Sequence, residues 1–289
     1  NFPKSPGSIN LNQLDKILKY VGKRNIINAE EFLERKINNN LNKKKDICIT
    51  FDDGLKSQMI TLKLLKKYSI QAFFFINTKY IDYNKISPEL IRYFIYIYCK
   101  GMKNFYKIFA KNCNLNLNIF FKNKKSEINR YKLKYKFYSI EDIKFRIIRN
   151  YLDTSKFNSI IEKIMFQKKF DKKKIIKNLY MSKKDLIKIN KMGHIIGLHS
   201  HSHPMKISKL SKDIIKKEFV TNKNCIKRII GSDKIIKAMS HPTGSCSKDT
   251  KKILKSIGIK IGFSNIENKK NRSNFEISRI NHKYILQKI

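Results

Sequence analysis

The chain has 289 residues, enough for one large domain with an insertion and for a sizeable buried core. It carries 64 Lys and Arg against 22 Asp and Glu, a formal charge of +42, and 41% of its residues are hydrophobic. The most apolar central stretch, Leu90 to Tyr98, is short and interrupted by Arg92, which excludes a bilayer-spanning helix there and points to a soluble globular chain.

Lysine is spread along almost the whole chain beside abundant Ile and Asn, the mark of a compositional bias and not of a dedicated nucleic-acid arm. Specific nucleic-acid binding is therefore not expected. Contact with anionic surfaces, membrane headgroups or acidic glycans, is expected and should weaken with salt. The five cysteines, Cys48, Cys99, Cys113, Cys225 and Cys246, are odd in number, widely spaced and lack a CxxC pair. That argues for free thiols in a reducing compartment and against a disulfide framework or a zinc ribbon. No secretory signal is legible, so the expectation is a cytoplasmic or membrane-associated protein of undetermined oligomeric state, although a start at Asn1 and not Met points to a missing upstream segment.

In chain order, Ile47 to Phe51 alternates and is β-rich, predicting a strand that ends at Asp52. Helical spacing follows (Ile60, Leu64, Leu65, Tyr68), then the apolar run Ala72 to Ile76, a buried strand. From about Tyr83 to Tyr180 the rhythm changes to a Tyr-, Phe-, Ile- and Lys-rich stretch with helical spacings and no glycine-punctuated strands. The division is thus 1–82 and 181–289 for the main domain and 83–180 for a mostly helical insertion. Beyond it, Ser182 caps a helix that Gly193 stops, and Ile195 to Leu198 form a strand running into His199. A helix from about Ser211 to Ile230 ends at Gly231 before the strand Ile235 to Met239. Another, from about Ser247 to Ile257, ends at Gly258 before the strand Lys260 to Phe263. Strands alternating with helices imply a parallel α/β sheet or barrel, whose ligands gather at the carboxyl ends of the strands. Asp52, His199 and His241 each follow a predicted strand.

All six histidines lie after residue 193, densest in Gly197-Leu198-His199-Ser200-His201-Ser202-His203-Pro204. On a loop leaving a strand, His199 and His203 can converge on one ion, although His201 lies between them and spacing alone does not choose. In Thr50-Phe51-Asp52-Asp53-Gly54, one carboxylate can bind a metal while the other stays free as a general base; Asp-Asp-Gly is also ordinary turn chemistry.

Ile49-Thr50-Phe51-Asp52-Asp53-Gly54 resembles the first signature of the polysaccharide deacetylases, carbohydrate esterase family four, and the segment from Gly193 to Pro204 resembles the second. Leu65 to Phe75 is similar to the family's continuation after its first signature. The resemblance covers roughly 9–82 and 181–289 and leaves the insertion unmatched. It implies a distorted (β/α) barrel. It implies a metal-dependent hydrolase removing N-acetyl groups from a polysaccharide or surface-glycan precursor, with a divalent cation, expected to be Zn²⁺. Asp52 corresponds to the base, and Asp53, His199 and His203 to the metal ligands; His201 is at a variable position and His194 in the strand approach. The family's third signature, Arg-x-Pro-x-Gly, reads Ser240-His241-Pro242-Thr243-Gly244 here, so Ser240 stands in place of the arginine that orients the base. Arg279 is the candidate replacement, and His282 and His241 are candidates for the proton donor. Backbone N–H groups around Thr243 to Ser245 are expected to face the developing oxyanion. The alternative is a catalytically impaired barrel serving as a basic glycan- or membrane-surface-binding protein.

Overall fold

A computed structural model describes residues 8–42, 45–81, 86–134, 138–204, 206–265 and 273–289. The chain forms two compact units, one spanning Lys85–Ile176, the other built from Asn10–Asn84 and Lys177–Ile289. The helices in chain order are α1 (Leu11–Val21), α2 (Ala29–Ile37), α3 (Thr61–Lys67), α4 (Pro88–Ile97), α5 (Met102–Cys113), α6 (Leu117–Asn123) and α7 (Lys125–Lys134). They continue as α8 (Ile140–Tyr151), α9 (Thr154–Gln167), α10 (Lys172–Leu179), α11 (Lys183–Lys191), α12 (Lys212–Ile230), α13 (Lys248–Ser256) and α14 (His282–Leu286).

The larger unit holds six strands: β1 (Thr50–Asp52), β2 (Phe73–Ile76), β3 (Ile195–Leu198), β4 (Ala238–Ser240), β5 (Ile261–Ser264) and β6 (Ile277–Ser278). All neighbours pair in parallel and in sequence order, β1-β2-β3-β4-β5-β6, with helices in the crossovers from β1 through β5. This is the curled half-barrel of a (β/α) barrel. Two strands begin later than their apolar runs suggest. Ile47 makes only an isolated bridge to Ile26, and the β1 ladder starts at Thr50. Ile235 is exposed, and pairing of β4 with β5 begins at Ala238.

Register decides which side chains face inward. Asp52 pairs with Phe75, Phe75 with Gly197, Ala238 with Ile261, Ser240 with Phe263, and Phe263 with Ile277. Paired residues share a face, and faces alternate with period 2. Phe73, Phe75, Ala238, Ile261, Phe263 and Ile277 therefore form one inward layer, closed below by Ala29, Phe32 and Leu33 of α2. Phe263 packs against Phe32, Phe73 and Phe75 with ring centroids 5.2–5.8 Å apart. Gly197 sits in this layer because a Cβ there would lie 2.6 Å from the Phe75 ring and 2.7 Å from the Ala238 carbonyl.

The cap read at Ser182 and the helix starts read near Ser211 and Ser247 appear in the structure. Ser182 and Asp185 form a capping box on α11, Ser211 caps α12, and Ser247 caps α13. In the helical unit, Ser87, Asn116, Ser139 and Asp153 cap α4, α6, α8 and α9. Its interior is an apolar cluster that includes Phe94, Phe105, Phe109, Ile143, Phe157 and Ile161, all essentially without exposure. Among the described residues, no helix is long and apolar enough to cross a membrane. All five cysteines are free thiols, and burial pushes those of Cys99 and Cys246 up to about 11, so neither is a poised nucleophile.

Gly197→Ala should lower stability by about 1–3 kcal/mol through overpacking, read as a lower urea midpoint at unchanged slope. An unchanged midpoint would show that β2, β3 and β4 do not pack as closely as described.

Candidate active site

Two residues beyond the aromatic layer, the same inward face turns polar. His199 follows Gly197 by two, Ser240 follows Ala238 by two, and Arg279 follows Ile277 by two; Asp52 ends β1 on the same inward face, in register with Phe75 and Gly197. The carboxyl ends of β1, β3, β4 and β6 thus deliver four polar side chains to one place.

Arg279 closes the arrangement. Its Nη1 and Nη2 donate to Asp52 Oδ1 and Oδ2 at 2.8 and 2.7 Å, a bidentate pair. The same guanidinium donates to Thr50 Oγ1 at 3.2 Å and Ser240 Oγ at 2.9 Å, and Ser240 Oγ donates to Asp52 Oδ2 at 3.3 Å. The Arg279 side chain is only 16% exposed, unlike a surface ion pair. Burial alone would raise the Asp52 carboxyl, but Arg279, aided by His199, holds it below the ordinary carboxylate value. Asp52 is therefore an anion at neutral pH. The serine in the third signature leaves room for an arginine arriving from β6.

Asp53 turns away from its neighbour because its backbone is left-handed (φ 73°), as is that of Gly54 (φ 63°). Its Oδ1 lies 3.3 Å from His199 Nε2 and 3.5 Å from His203 Nε2, and the three ligand atoms fall within 4.8 Å of one another. Metal–donor bonds of about 2.0–2.1 Å at tetrahedral angles put neighbouring donors roughly 3.3 Å apart, so two of these spacings suit a single cation. His199 Nδ1 bonds the Ser240 carbonyl at 2.8 Å; a carbonyl only accepts, so Nδ1 carries the hydrogen and Nε2 presents its lone pair towards Asp53. Burial lowers the His199 pKa, but Asp52 and then Asp53 outweigh it and raise it, so the site draws positive charge. Two imidazoles and a carboxylate with this second partner fit a divalent ion of the zinc kind.

The other histidines lie outside this cluster. His201 Nδ1 bonds Thr78 Oγ1 at 2.9 Å, on the β2 side of the loop. His194 is buried, stacks edge-on to Phe74 and accepts the Ala72 N–H at 3.1 Å through Nδ1. His282 is the first residue of α14, which packs against α1.

Two expected groups are engaged by the fold itself. His241 is 1% exposed, its Nε2–H is committed to the Phe275 carbonyl at 2.6 Å, and burial drops its pKa to about 4. The Gly244 and Ser245 N–H groups do not face an oxyanion, because they close the turn onto the His241 and Pro242 carbonyls at 3.0 Å each. Sequence reasoning also passed over Asn222, which is fully buried and accepts the His199 backbone N–H at 3.0 Å. The legible sign was an asparagine in the apolar stripe Ile215, Phe219, Ile226 of α12.

Comparison with known proteins agrees with this geometry. The profile of the family described as polysaccharide deacetylase matches residues 39–95 and 128–262. The match enters the helical segment from both sides, further than the signatures alone reached. No curated protein matches the chain. Among solved structures, the Streptococcus pyogenes deacetylase PplD in complex with acetate is similar with a TM-score of 0.55 at 14% identity, covering 99% of this chain and 91% of that one. A de-N-acetylase from Aggregatibacter actinomycetemcomitans gives 0.55 at 14% identity, covering 97% and 87%. The BpsB deacetylase domain from Bordetella bronchiseptica gives 0.54 at 13%, covering 96% and 86%. At these identities the likeness establishes the fold.

The state of His241 predicts a pH dependence. Its folded pKa of about 4 lies below the unfolded value of about 6.5, so the unfolded chain binds more protons between the two. Stability contributed by the neutral ring is present above pH 6.5 and is lost as pH falls towards 4, on the order of 3 kcal/mol. His241→Gln keeps an amide donor for the Phe275 carbonyl and should flatten that limb of the melting-temperature profile. An equally steep limb in the variant would exclude His241 as its cause.

Proposed function

The chain belongs to the polysaccharide deacetylase family, hydrolases of N-acetyl amide bonds in carbohydrates, and from that premise we propose that it removes acetyl groups from a polysaccharide or surface-glycan precursor by metal-assisted hydrolysis. The observation that carries this reading is the adjacency of two assemblies at the strand ends: the Asp52–Arg279 pair and the Asp53–His199–His203 cluster.

Asp53 Oδ1 and the Nε2 atoms of His199 and His203 would hold the cation, Zn²⁺ in this reading, leaving a coordination position open. Such an ion would supply Lewis acidity and lower the pKa of water to about 7. Asp52 is the base: Arg279 keeps its carboxylate ionised and fixes its plane, so an oxygen lone pair is available to accept a proton from the attacking water. The Ser240 hydroxyl, which touches both partners, occupies the remaining side of the pair. Proton return to the departing sugar amine is assigned to His282, three residues beyond Arg279. Asp52 is charged and its arginine supplied from β6, so the site is equipped for turnover and the impaired-barrel alternative is not needed. Acidic or membrane-associated glycans suit the +42 charge.

Asp52→Asn should retain one cation per chain by elemental analysis while acetate release falls on the order of 10²–10⁴-fold; undiminished turnover would remove Asp52 from the role of base. His199→Ala should lose the cation as well as the activity. Arg279→Lys keeps the charge but not the fork. Its kcat on an acetylated oligosaccharide should fall while metal content stays constant, and a wild-type kcat would show that the bidentate geometry is idle.

A further inference from the structure

The loop bearing the two histidine ligands is conformationally demanding. Ser200 (φ 60°) and His203 (φ 54°) both adopt left-handed backbone without being glycine. Such residues persist only where surrounding contacts over-determine them, and the contacts come largely from one helix.

Glu218 and Asn222 of α12, four residues apart, lie on one helical face. The Glu218 carboxylate accepts the Ser202 N–H at 2.8 Å and the Ser202 hydroxyl at 2.6 Å, and its backbone carbonyl accepts the His201 N–H at 3.2 Å. One turn on, Asn222 Oδ1 takes the His199 N–H at 3.0 Å, which also reaches the Ile76 carbonyl at 3.2 Å. Asn222 Nδ2 donates to the Ile76 carbonyl at 2.9 Å and to Thr78 Oγ1 at 3.1 Å, the hydroxyl that His201 also touches. Asn222 thereby ties the end of β2 to the first residue after β3, and Glu218 fixes the middle of the loop.

We infer that Glu218 and Asn222 are positioning residues that set the spacing of His199 and His203, and through it the affinity for the cation. This rests on the reading that Asp53, His199 and His203 form its site. Both residues act on the backbone of the loop, so their effect reaches the cation through where the ligands stand and not through direct contact. A purely structural asparagine would contribute only to folding.

The test strips the full chain with chelator and titrates it with Zn²⁺ by calorimetry and with Co²⁺ by visible absorption, alongside the thermal midpoint of the stripped protein. Asn222→Leu keeps the side-chain size and removes every hydrogen bond; Glu218→Ala frees Ser202. Each should weaken cation binding about 10–100-fold, the usual effect of removing outer partners of a metal site, and should shift the Co²⁺ ligand-field bands. Ile226→Ala thins the same stripe without removing a hydrogen bond; it should lower the midpoint and leave the Kd unchanged. Should Asn222→Leu not fold, Thr78→Val carries the same test, since it removes the hydroxyl shared by Asn222 and His201. Wild-type Kd and bands in Asn222→Leu (or in Thr78→Val where that replaces it) overturn the inference, as does an Ile226→Ala loss of affinity equal to theirs. A wild-type chain that takes up neither ion overturns instead the ligand assignment beneath it.

Discussion

The Asp52–Arg279 pair joins the first strand of the sheet to the chain leaving the last. The two are neighbours only because the sheet curls, and the guanidinium, bonded to Thr50, Asp52 and Ser240 together, spans the strand ends across the opening. A largely buried ion pair is seldom a net source of stability, since desolvation of both charges offsets their attraction, yet removing one partner leaves an uncompensated charge at a cost of about 3–5 kcal/mol. The pair is better understood as a specificity device. It fixes the protonation state and orientation of one carboxylate at the one place where the neighbouring carboxylate is turned elsewhere.

That division between Asp52 and Asp53 depends on backbone geometry more than on charge. Asp52 lies in the β1 ladder and points inward with the barrel layer; Asp53, in left-handed conformation, leaves the ladder and meets two imidazoles. Two adjacent, chemically identical side chains thus acquire a cationic partner in one case and a metal-ligand setting in the other. The aromatic layer of Phe73, Phe75 and Phe263 beneath them supplies the rigid floor, and Gly197 admits the close strand contact that puts His199 at the right height. The hydrogen bond from His199 to the Ser240 carbonyl then couples the imidazole of one assembly to the strand that carries a member of the other.

The legible parts of this site were those whose residues are adjacent in sequence. Asp52-Asp53-Gly54 and the run His199 to His203 announce themselves because ligand types, turn residues and strand ends fall within a few positions. Parallel alternation, the cap Ser182 and the helix starts near Ser211 and Ser247 were legible for the same reason: each is a local rule. Arg279 was readable only as a cation near a final strand end, since its partner lies 227 positions away. A histidine after a strand, such as His241, carries no mark of its burial, and the Phe275 carbonyl that occupies it lies 34 residues on. The turn carbonyls that take the Gly244 and Ser245 N–H groups were likewise invisible until the loop was folded. Helices α1 and α2 went unread. Yet α2 packs directly beneath the inward layer of the sheet, a tertiary role that no local pattern encodes.

The serine at 240 shows how a family pattern can be broken while the carboxylate beside it keeps a cationic partner. What Asp52 receives is a bidentate cation in the plane of its carboxylate, and several strand ends border that plane. A guanidinium rooted on β4 and one arriving from β6 would compete for the same two oxygens and repel each other at close range, so one position must be small when the other is filled. Ser240 satisfies that condition twice: it vacates the volume, and its hydroxyl donates to Asp52 while accepting from Arg279. The substitution and the distant arginine are therefore a single feature of the site, distributed over two strands.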